Sequence, residues 1–117
     1  MITVCMRIVT GQEPVEVELS MSGHAYYNKE SPKDDIVCAA ASMLGQTFEQ
    51  ALMSYQQDGS LREYNAGPIE PGKLHVYGKA TGLYDSMRVV EAARVIYLGF
   101  EMLAEEYPDH VELVSGI

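Results

Sequence analysis

The chain has 117 residues, 47% of them hydrophobic and 21% charged, which excludes collagen-like, disordered and disulfide-scaffold proteins. A single domain of this length buries about two thirds of the surface of its unfolded chain, so it needs no metal or disulfide to fold. With 17 Asp and Glu against 8 Lys and Arg, the net charge of −9 argues against nucleic acid and for a basic peptide as the partner.

The amino-terminal residues predict a cytoplasmic protein. They contain no secretory signal, and no apolar run of the chain approaches the length needed to span a membrane, so we expect no membrane partner. Two cysteines, Cys5 and Cys38, are too few for a disulfide framework and lack the CxxC spacing of a zinc or redox site. We therefore expect no cofactor and no metal.

The chain opens on two runs of alternating residues that predict a β-hairpin. Apolar and polar side chains alternate over residues 2–8 and again over residues 15–22, and turn-forming residues fill the segment 10–14 between them. The next segment, residues 26–34, has no regular apolar period. We therefore expect a loop between this hairpin and the element that follows.

A helix is predicted from about Asp35 to Gln57, where Asp58-Gly59 ends it. Its apolar residues at helical spacing are Ile36, Ala40, Leu44, Phe48, Leu52 and Tyr55. An earlier start is also open, because Ser31 has the character of a cap and Pro32 suits the first helical position. Only the later start puts Cys38 into the first turn of the helix.

The second half of the chain predicts another hairpin, a second helix and a last strand. Short alternating segments at residues 61–64 and 73–78 flank a stretch of turn-forming residues. The helix runs from beyond Thr81-Gly82 to about Tyr107, and residues 110–114 alternate again as a strand. The apolar stripe of this helix consists of Met87, Val90, Ala93, Ile96, Phe100 and Leu103. The side chains able to cap it are Asp85 and Ser86.

The predicted elements follow the order ββαββαβ. This order favours the α/β (α+β) class: a single two-layer sandwich in which two helices cover one face of a mostly antiparallel or mixed sheet. No linker or low-complexity tract interrupts the sequence. We therefore expect one domain that spans residues 1–117.

Cys38 is the candidate nucleophile. A free cysteine among apolar neighbours is commonly a small buried hydrophobe, and that interpretation stays open. In the first turn of a helix, however, free backbone N–H groups and the helix macrodipole favour a thiolate over a thiol. A thiolate is a nucleophile, and the same N–H groups are able to stabilise the oxyanion that forms when sulfur attacks a carbonyl carbon.

A nucleophilic thiolate needs a proton carrier, and His24 stands at the end of a predicted strand, across the loop from the helix start. Histidine side chains titrate near neutral pH, so His24 is able to share a proton with Cys38 and then to protonate the leaving amine. The alternative is an ordinary histidine at a loop edge. His75 and His110 lack this context, and we expect structural or solvated roles for them.

Two motifs combine these residues in a fixed order. The first is Gly23-His24-Ala25, and the second, after the loop, is Asp35-Ile36-Val37-Cys38-Ala39-Ala40-Ala41-Ser42. With them the chain resembles the Prp family of ribosomal-processing cysteine proteases over nearly its whole length. The resemblance implies an endopeptidase of ribosome biogenesis that removes a short amino-terminal extension from a large-subunit ribosomal protein, and in some phages cuts virion proteins. It also implies a homodimer and a mobile loop between the catalytic residues.

The resemblance points to four positions of this chain and implies a role for two of them. Cys38 matches the nucleophile of the family and His24 matches its catalytic histidine. Asp35 and Ser42 occupy flanking positions of the second motif. Asp35 is able either to cap the helix or to orient His24. Ser42 lies one turn after Cys38 on the same face, and it is able to hydrogen-bond within the site or back to a helix carbonyl.

The loop of residues 26–34 departs from the family pattern, because members usually carry glycine there and this segment has none. Fewer glycines narrow the conformational range of the loop and alter how it closes on substrate. Its aromatic residues, Tyr26 and Tyr27, are candidate contacts to a peptide substrate. Exposed aromatic residues in loops also occur without any function.

We favour a cysteine endopeptidase that works through a Cys–His dyad and an acyl-enzyme. Its partner would be the amino-terminal segment of a ribosomal or phage structural protein, and the acidic chain complements the basic amino-terminal regions of ribosomal proteins. The altered loop motivates an alternative, a noncatalytic peptide-binding or assembly module with the same fold. A third hypothesis, a redox sensor that pairs Cys5 with Cys38, needs two residues that nothing in the sequence brings together.

Overall fold

The computed structural model describes residues 1–11, 14–68 and 70–115. Its elements are β1 (Ile2–Val9), β2 (Glu16–Ser22), α1 (Ile36–Gln57), β3 (Leu61–Ala66), β4 (Lys73–Ala80), α2 (Leu83–Glu106) and β5 (Val111–Ser115). A short 3-10 helix, Pro32–Asp34, lies in the loop before α1. Among these described residues, no helix has both the length and the apolar composition that crossing a lipid bilayer requires.

The described strands form one mixed sheet in the order β3-β4-β2-β1-β5. β1 and β2 form the first predicted hairpin, with Val4 opposite Met21, and β3 and β4 form the second. β2 and β4 join the two hairpins in antiparallel fashion, with Leu19 opposite Val76. β5 lies parallel to β1 at the edge of the sheet. The predicted order of elements and the α+β class are confirmed.

The core lies between one face of the sheet and the two helices. Every second residue of β1 from Ile2 to Ile8 is buried, as a strand with one covered face requires. Phe48 of α1 and Phe100 of α2 are fully buried in the same core. The opposite face of the sheet is polar, and Arg7 pairs there with Glu18 at 3.0 Å. Both helices therefore cover one face, as predicted.

The buried face of α1 differs from the predicted one by about one residue. Ile36 and Ala40, expected in the core, are exposed. The residues that α1 buries are Val37, Ala41, Gly45, Phe48 and Leu52. The pattern was hard to recognise because Gly45 belongs to this face: the helix runs so close to the sheet that a Cβ on Gly45 would lie 2.5 Å from Met21 Sδ.

α2 begins without the predicted side-chain cap. Its N-cap is Gly82, and neither Asp85 nor Ser86 caps it. Ser86 is buried instead, and its hydroxyl accepts the backbone N–H of Val15 at 3.1 Å, which ties the first turn of α2 to the start of β2. Met87, expected in the core stripe, is 63% exposed, because the buried positions at this end of α2 are Ser86, Val89 and Val90.

Candidate active site

The start of α1 holds Cys38 in its first turn, as the later of the two predicted starts requires. Asp35 is the N-cap, and the helix spans Ile36–Gln57. The competing start at Ser31 instead produces the separate 3-10 turn Pro32–Asp34, which Asp35 ends with an extended backbone (φ −73°, ψ 109°). Cys38 is therefore the third residue of α1, at the end of the helix where the macrodipole favours negative charge.

The carboxylate of Asp35 joins the helix start to the preceding loop. Its Oδ1 accepts the N–H groups of Val37 and Cys38, both at 3.0 Å. Its Oδ2 accepts the N–H of Tyr27 at 2.8 Å and that of Asn28 at 3.0 Å. Burial raises the pKa of Asp35, but the four N–H groups together outweigh burial and hold that pKa below its ordinary value. Asp35 is thus a helix cap and a loop anchor.

The sulfur of Cys38 is partly buried and accepts a backbone hydrogen bond. The N–H of Ala25 donates to Sγ at 3.2 Å, and a donor there stabilises negative charge on sulfur. The carbonyl of Ala25 in turn accepts from His110 Nδ1 at 2.8 Å, and Nδ1 must carry the hydrogen because a carbonyl oxygen only accepts. His110 therefore holds Ala25, the residue whose N–H contacts the sulfur, which is a structural role of the kind expected for it.

His24 follows β2, and its exposed imidazole lies on the same cleft as Cys38. Gly23 before it has φ +93°, which suits glycine, and a Cβ there would collide with the carbonyl of Met1. Tyr26 after it has φ +54°, and its ring packs edge-on against the imidazole of His24 with the centroids 5.9 Å apart. Gly23, directly before His24, and Tyr26, two positions after it, therefore both have left-handed backbone conformations.

A cleft of about 530 Å³ lies between α1 and the turn that joins β3 to β4. It brings together three of the predicted site residues, Cys38, His24 and Ser42. Apolar side chains, among them Met21 and Leu74, form part of the lining. This volume falls within the range of ligand-binding pockets, and the cleft holds a thiol and an imidazole beside apolar surface. Such an arrangement suits nucleophilic attack on a bound peptide.

The two loop tyrosines stand outside this cleft, within the described part of the chain. The ring of Tyr27 packs edge-on against Tyr107, with centroids 5.2 Å apart, and against His110, at 5.3 Å. Tyr27 thus anchors the loop to the end of α2. Tyr26 is 57% exposed beside His24. Contact between either tyrosine and a peptide stays a prediction.

Three polar residues of α1 that were not predicted as site residues also line the cleft: Gln46, Glu49 and Gln50. A periodic signal was available for them, because these positions follow Cys38 and Ser42 at helical spacing and so share one face of α1. Residues from the turn between β3 and β4, by contrast, reach the cleft only through the fold of the sheet. No local pattern indicates them.

Cys5 lies far from this chemistry. It stands between the buried residues Val4 and Met6 of β1, so its side chain projects from the polar face of the sheet. Cys5 and Cys38 are both free, and the sheet separates the Cys5 side chain from the cleft. The redox pair is therefore not supported. Across the described ranges, no cluster of three or more His, Cys, Asp or Glu side chains is arranged to hold a metal ion.

Solved structures show the same fold as this chain. The essential ribosomal processing protease Prp from S. aureus, in complex with a covalently linked product peptide, superposes with a TM-score of 0.67 at 22% identity, covering 98% of this chain and 99% of that one. The same protease in complex with a substrate peptide gives 0.66 at 20% identity, with 98% and 99% coverage. SMU.848 from Streptococcus mutans gives 0.64 at 22% identity, with 98% and 93% coverage.

Comparison of the sequence with curated proteins gave no match. A family model described as cysteine protease Prp, however, matches residues 1–112, which is nearly the whole chain. Its match includes both the Gly23-His24-Ala25 motif and the start of α1 around Cys38. This chain therefore belongs to the Prp family of cysteine proteases and is a hydrolase.

Proposed function

We propose that this protein is an endopeptidase that removes a short amino-terminal extension from a large-subunit ribosomal protein during ribosome biogenesis. The observation that carries the proposal is the cleft shared by Cys38, in the first turn of α1, and His24. The S. aureus relative with its substrate peptide supports the same class of substrate. The family model matches residues 1–112, and we propose that the protease domain spans residues 1–117.

In the proposed reaction, the thiolate of Cys38 attacks the carbonyl carbon of the scissile peptide bond. The C–N bond then breaks, and the leaving amine takes a proton from the imidazolium of His24. This step leaves the acyl part of the substrate joined to Sγ as a thioester. Water attacks the thioester while His24 takes a proton from that water, and the C–S bond then breaks. The product leaves as a carboxylic acid that loses its proton to solvent, and the starting pair of Cys38 thiolate and His24 imidazolium is restored.

The oxyanion of the tetrahedral intermediate needs a donor close to the sulfur. Within the first turn of α1, the N–H groups of Val37 and Cys38 already donate to Asp35. The N–H of Ala25, 3.2 Å from Sγ, is placed beside the reacting atom. We therefore assign the oxyanion to the Ala25 N–H, which would transfer its hydrogen bond from sulfur to oxygen as the thiolate loses its charge.

The charge of the protein supports a basic peptide as substrate. The net charge is −9, and Glu49 and Glu70 belong to the lining of the cleft. A basic amino-terminal segment would approach such a cleft faster than a neutral one. A phage structural protein with a similar cleavage sequence fits the same chemistry. For the same reason of charge we expect no nucleic acid as partner. We also propose that the protein acts in the cytoplasm and has no membrane partner.

We also propose a homodimer that uses the exposed apolar residues of α2. Three of them share one face: Val95 is 63% exposed, Leu98 57% and Met102 70%. Val89, another apolar residue of α2 outside the predicted core stripe, is buried in the core and takes no part. Leu98→Glu should shift the mass measured by light scattering from dimer toward monomer, whereas Gln57→Glu, with the same charge change at the end of α1, should leave the dimer intact.

The alternative is a noncatalytic peptide-binding module. The glycine-free loop favours this alternative. The backbone N–H groups of Tyr27 and Asn28 donate to the carboxylate of Asp35, and these hydrogen bonds restrain opening of the loop. Mass spectrometry of ribosomal proteins incubated with the chain separates the two functions. We expect the wild-type protein and Cys5→Ala to produce one specific amino-terminal truncation and Cys38→Ala to produce none. Peptide binding without truncation by the wild type would favour the module, and cleavage by Cys38→Ala would exclude the nucleophile.

A further inference from the structure

The turn that leads into β4 is tied to the backbone beside His24. It closes through the N–H of Lys73, which donates to the carbonyl of Glu70 at 3.1 Å. Gly72 within it has φ +74°, a left-handed conformation that suits glycine. The carbonyl of Gly72 accepts the N–H of Gly23 at 2.9 Å. The turn is therefore fixed to the residue that directly precedes His24.

The imidazole of His24 occupies the space that a side chain on Gly72 would need. A Cβ built on Gly72 would lie 2.7 Å from His24 Nε2 and 3.0 Å from Cε1. These atoms form the far edge of the ring, so the edge that reaches furthest from the His24 backbone packs against the turn. In the described chain, the other ring against this imidazole is that of Tyr26.

Packing, not a hydrogen bond, limits the position of His24. Within the described residues, no carboxylate or carbonyl forms a hydrogen bond with its imidazole. Asp35 was one candidate for orienting His24, but its two carboxylate oxygens accept four backbone N–H groups instead. The side chain of His24 is also exposed, so its rotation depends on few contacts, among them the turn at Gly72 and the ring of Tyr26.

We propose that Gly72 is a positioning residue for His24. Because Gly72 has no side chain, the imidazole packs against the turn, and this contact sets the position of the ring in the cleft. This inference rests on the proposed function, because it concerns the proton carrier of that reaction. Any side chain at position 72 would push the imidazole away while leaving Cys38 and its helix unchanged. The displaced ring would then transfer its proton to the leaving amine less efficiently.

The test compares glycines of the same backbone conformation in two places. Gly72→Asn is the main variant, since asparagine tolerates positive φ and so separates the side-chain clash from backbone strain. Gly59→Asn is the matched control: Gly59 has φ +84°, ends α1, and a Cβ there meets nothing within 4 Å. Gly72→Ala provides a second, smaller side chain if the asparagine variant folds poorly.

We expect Gly72→Asn to lower kcat for a peptide amide substrate by about 10- to 100-fold. The loss should be much smaller for the acylation step of an activated ester of the same acyl group, measured as the burst rate, because its leaving group needs no proton. A merely structural defect would lower both rates by the same factor, which would overturn the proposal. Gly59→Asn should match the wild type on both substrates, and unchanged amide cleavage by both Gly72 variants would also overturn it.

A second readout does not depend on catalysis. The NMR signal of the His24 Cε1 proton should shift in Gly72→Asn and stay in place in Gly59→Asn. If the wild-type protein cleaves no substrate, the proposed function fails, but this signal still decides whether Gly72 positions the imidazole. A His24 signal that is unchanged by both Gly72 variants would contradict the inference whatever the activity.

Discussion

Asp35 is the residue on which the geometry around Cys38 most depends. Its two carboxylate oxygens accept four backbone N–H groups, two from the first turn of α1 and two from the loop. The side chain is only 4% exposed, so these bonds form largely out of water. One residue thus fixes both the start of the helix that carries the sulfur and the loop that follows the histidine.

We expect Asp35→Asn to destabilise the protein by about 1–3 kcal/mol, since its amide NH2 would face two N–H donors and leave them unsatisfied. Denaturant unfolding measures this change. Asp34→Asn is the control, because Asp34 is exposed and its carboxylate accepts the hydroxyl of Ser31. A variant at position 35 as stable as the control would contradict the anchoring role.

The lowered pKa of Asp35 also predicts a dependence of stability on acid. A carboxyl group whose pKa is lower in the folded than in the unfolded state contributes stability above its unfolded value, and this contribution is lost as pH falls. The stability difference between wild type and Asp35→Asn should therefore be full at pH 6 and shrink below about pH 4. Unfolding curves across this range check it, and a constant difference would refute it.

At the residue scale, the sequence indicated the two side chains proposed to react and the helix cap, but not the residues that support them. Cys38 and Asp35 share the first turn of a helix, so a local pattern is enough to relate them. The contact between Ala25 and Cys38 spans 13 positions, and that between His110 and Ala25 spans 85. Such contacts depend on how the elements pack, which no local pattern contains.

At the scale of elements, α1 turns its core face along Val37 and leaves Ile36 in solvent. Val37 is fully buried and Ile36 is 58% exposed. The sequence pattern placed Ile36 in the core stripe instead, because both residues are β-branched and apolar and only the helical periodicity distinguishes them. Gly45 lies on the same face of α1 as Val37, the face that approaches the sheet, but a glycine does not register as an apolar residue in the sequence pattern.

This placement predicts effects of very different size for two neighbouring truncations. Val37→Ala should destabilise the protein by about 2 kcal/mol, since it removes buried apolar surface and leaves a cavity. Ile36→Ala should change the free energy of unfolding by less than about 0.5 kcal/mol. Denaturant unfolding of both variants measures the comparison. A larger loss from Ile36→Ala than from Val37→Ala would reverse the assignment of the core face.

At the scale of the whole molecule, the alternating pattern predicts strands but not the direction of their pairing. β5 shows the limit, because its residues alternate in the same way whether it pairs parallel or antiparallel. The structure aligns it parallel to β1, with Val4 beside Leu113. The two hairpins were predictable because short turns allow only antiparallel neighbours.

The net charge of the whole molecule predicts a salt dependence of catalysis. An acidic protein attracts a basic peptide over distances that salt screens, from about 30 Å at 0.01 M to about 8 Å at 0.15 M ionic strength. We expect kcat/KM for a lysine- and arginine-rich substrate to fall at least about threefold over this range. A substrate with the same cleavage sequence and neutral flanks is the control, and equal behaviour of the two would contradict the electrostatic role.

The most direct test of the account is the capture of the covalent intermediate. A slowly hydrolysed ester of the substrate peptide, mixed with the protein and quenched in acid, should raise the intact mass by one acyl group. Fragment mass spectrometry should locate that group on Cys38, and Cys38→Ala should show no adduct while Cys5→Ala retains it. An adduct on another residue, or none from an ester that the protein demonstrably cleaves, would contradict attack by Cys38.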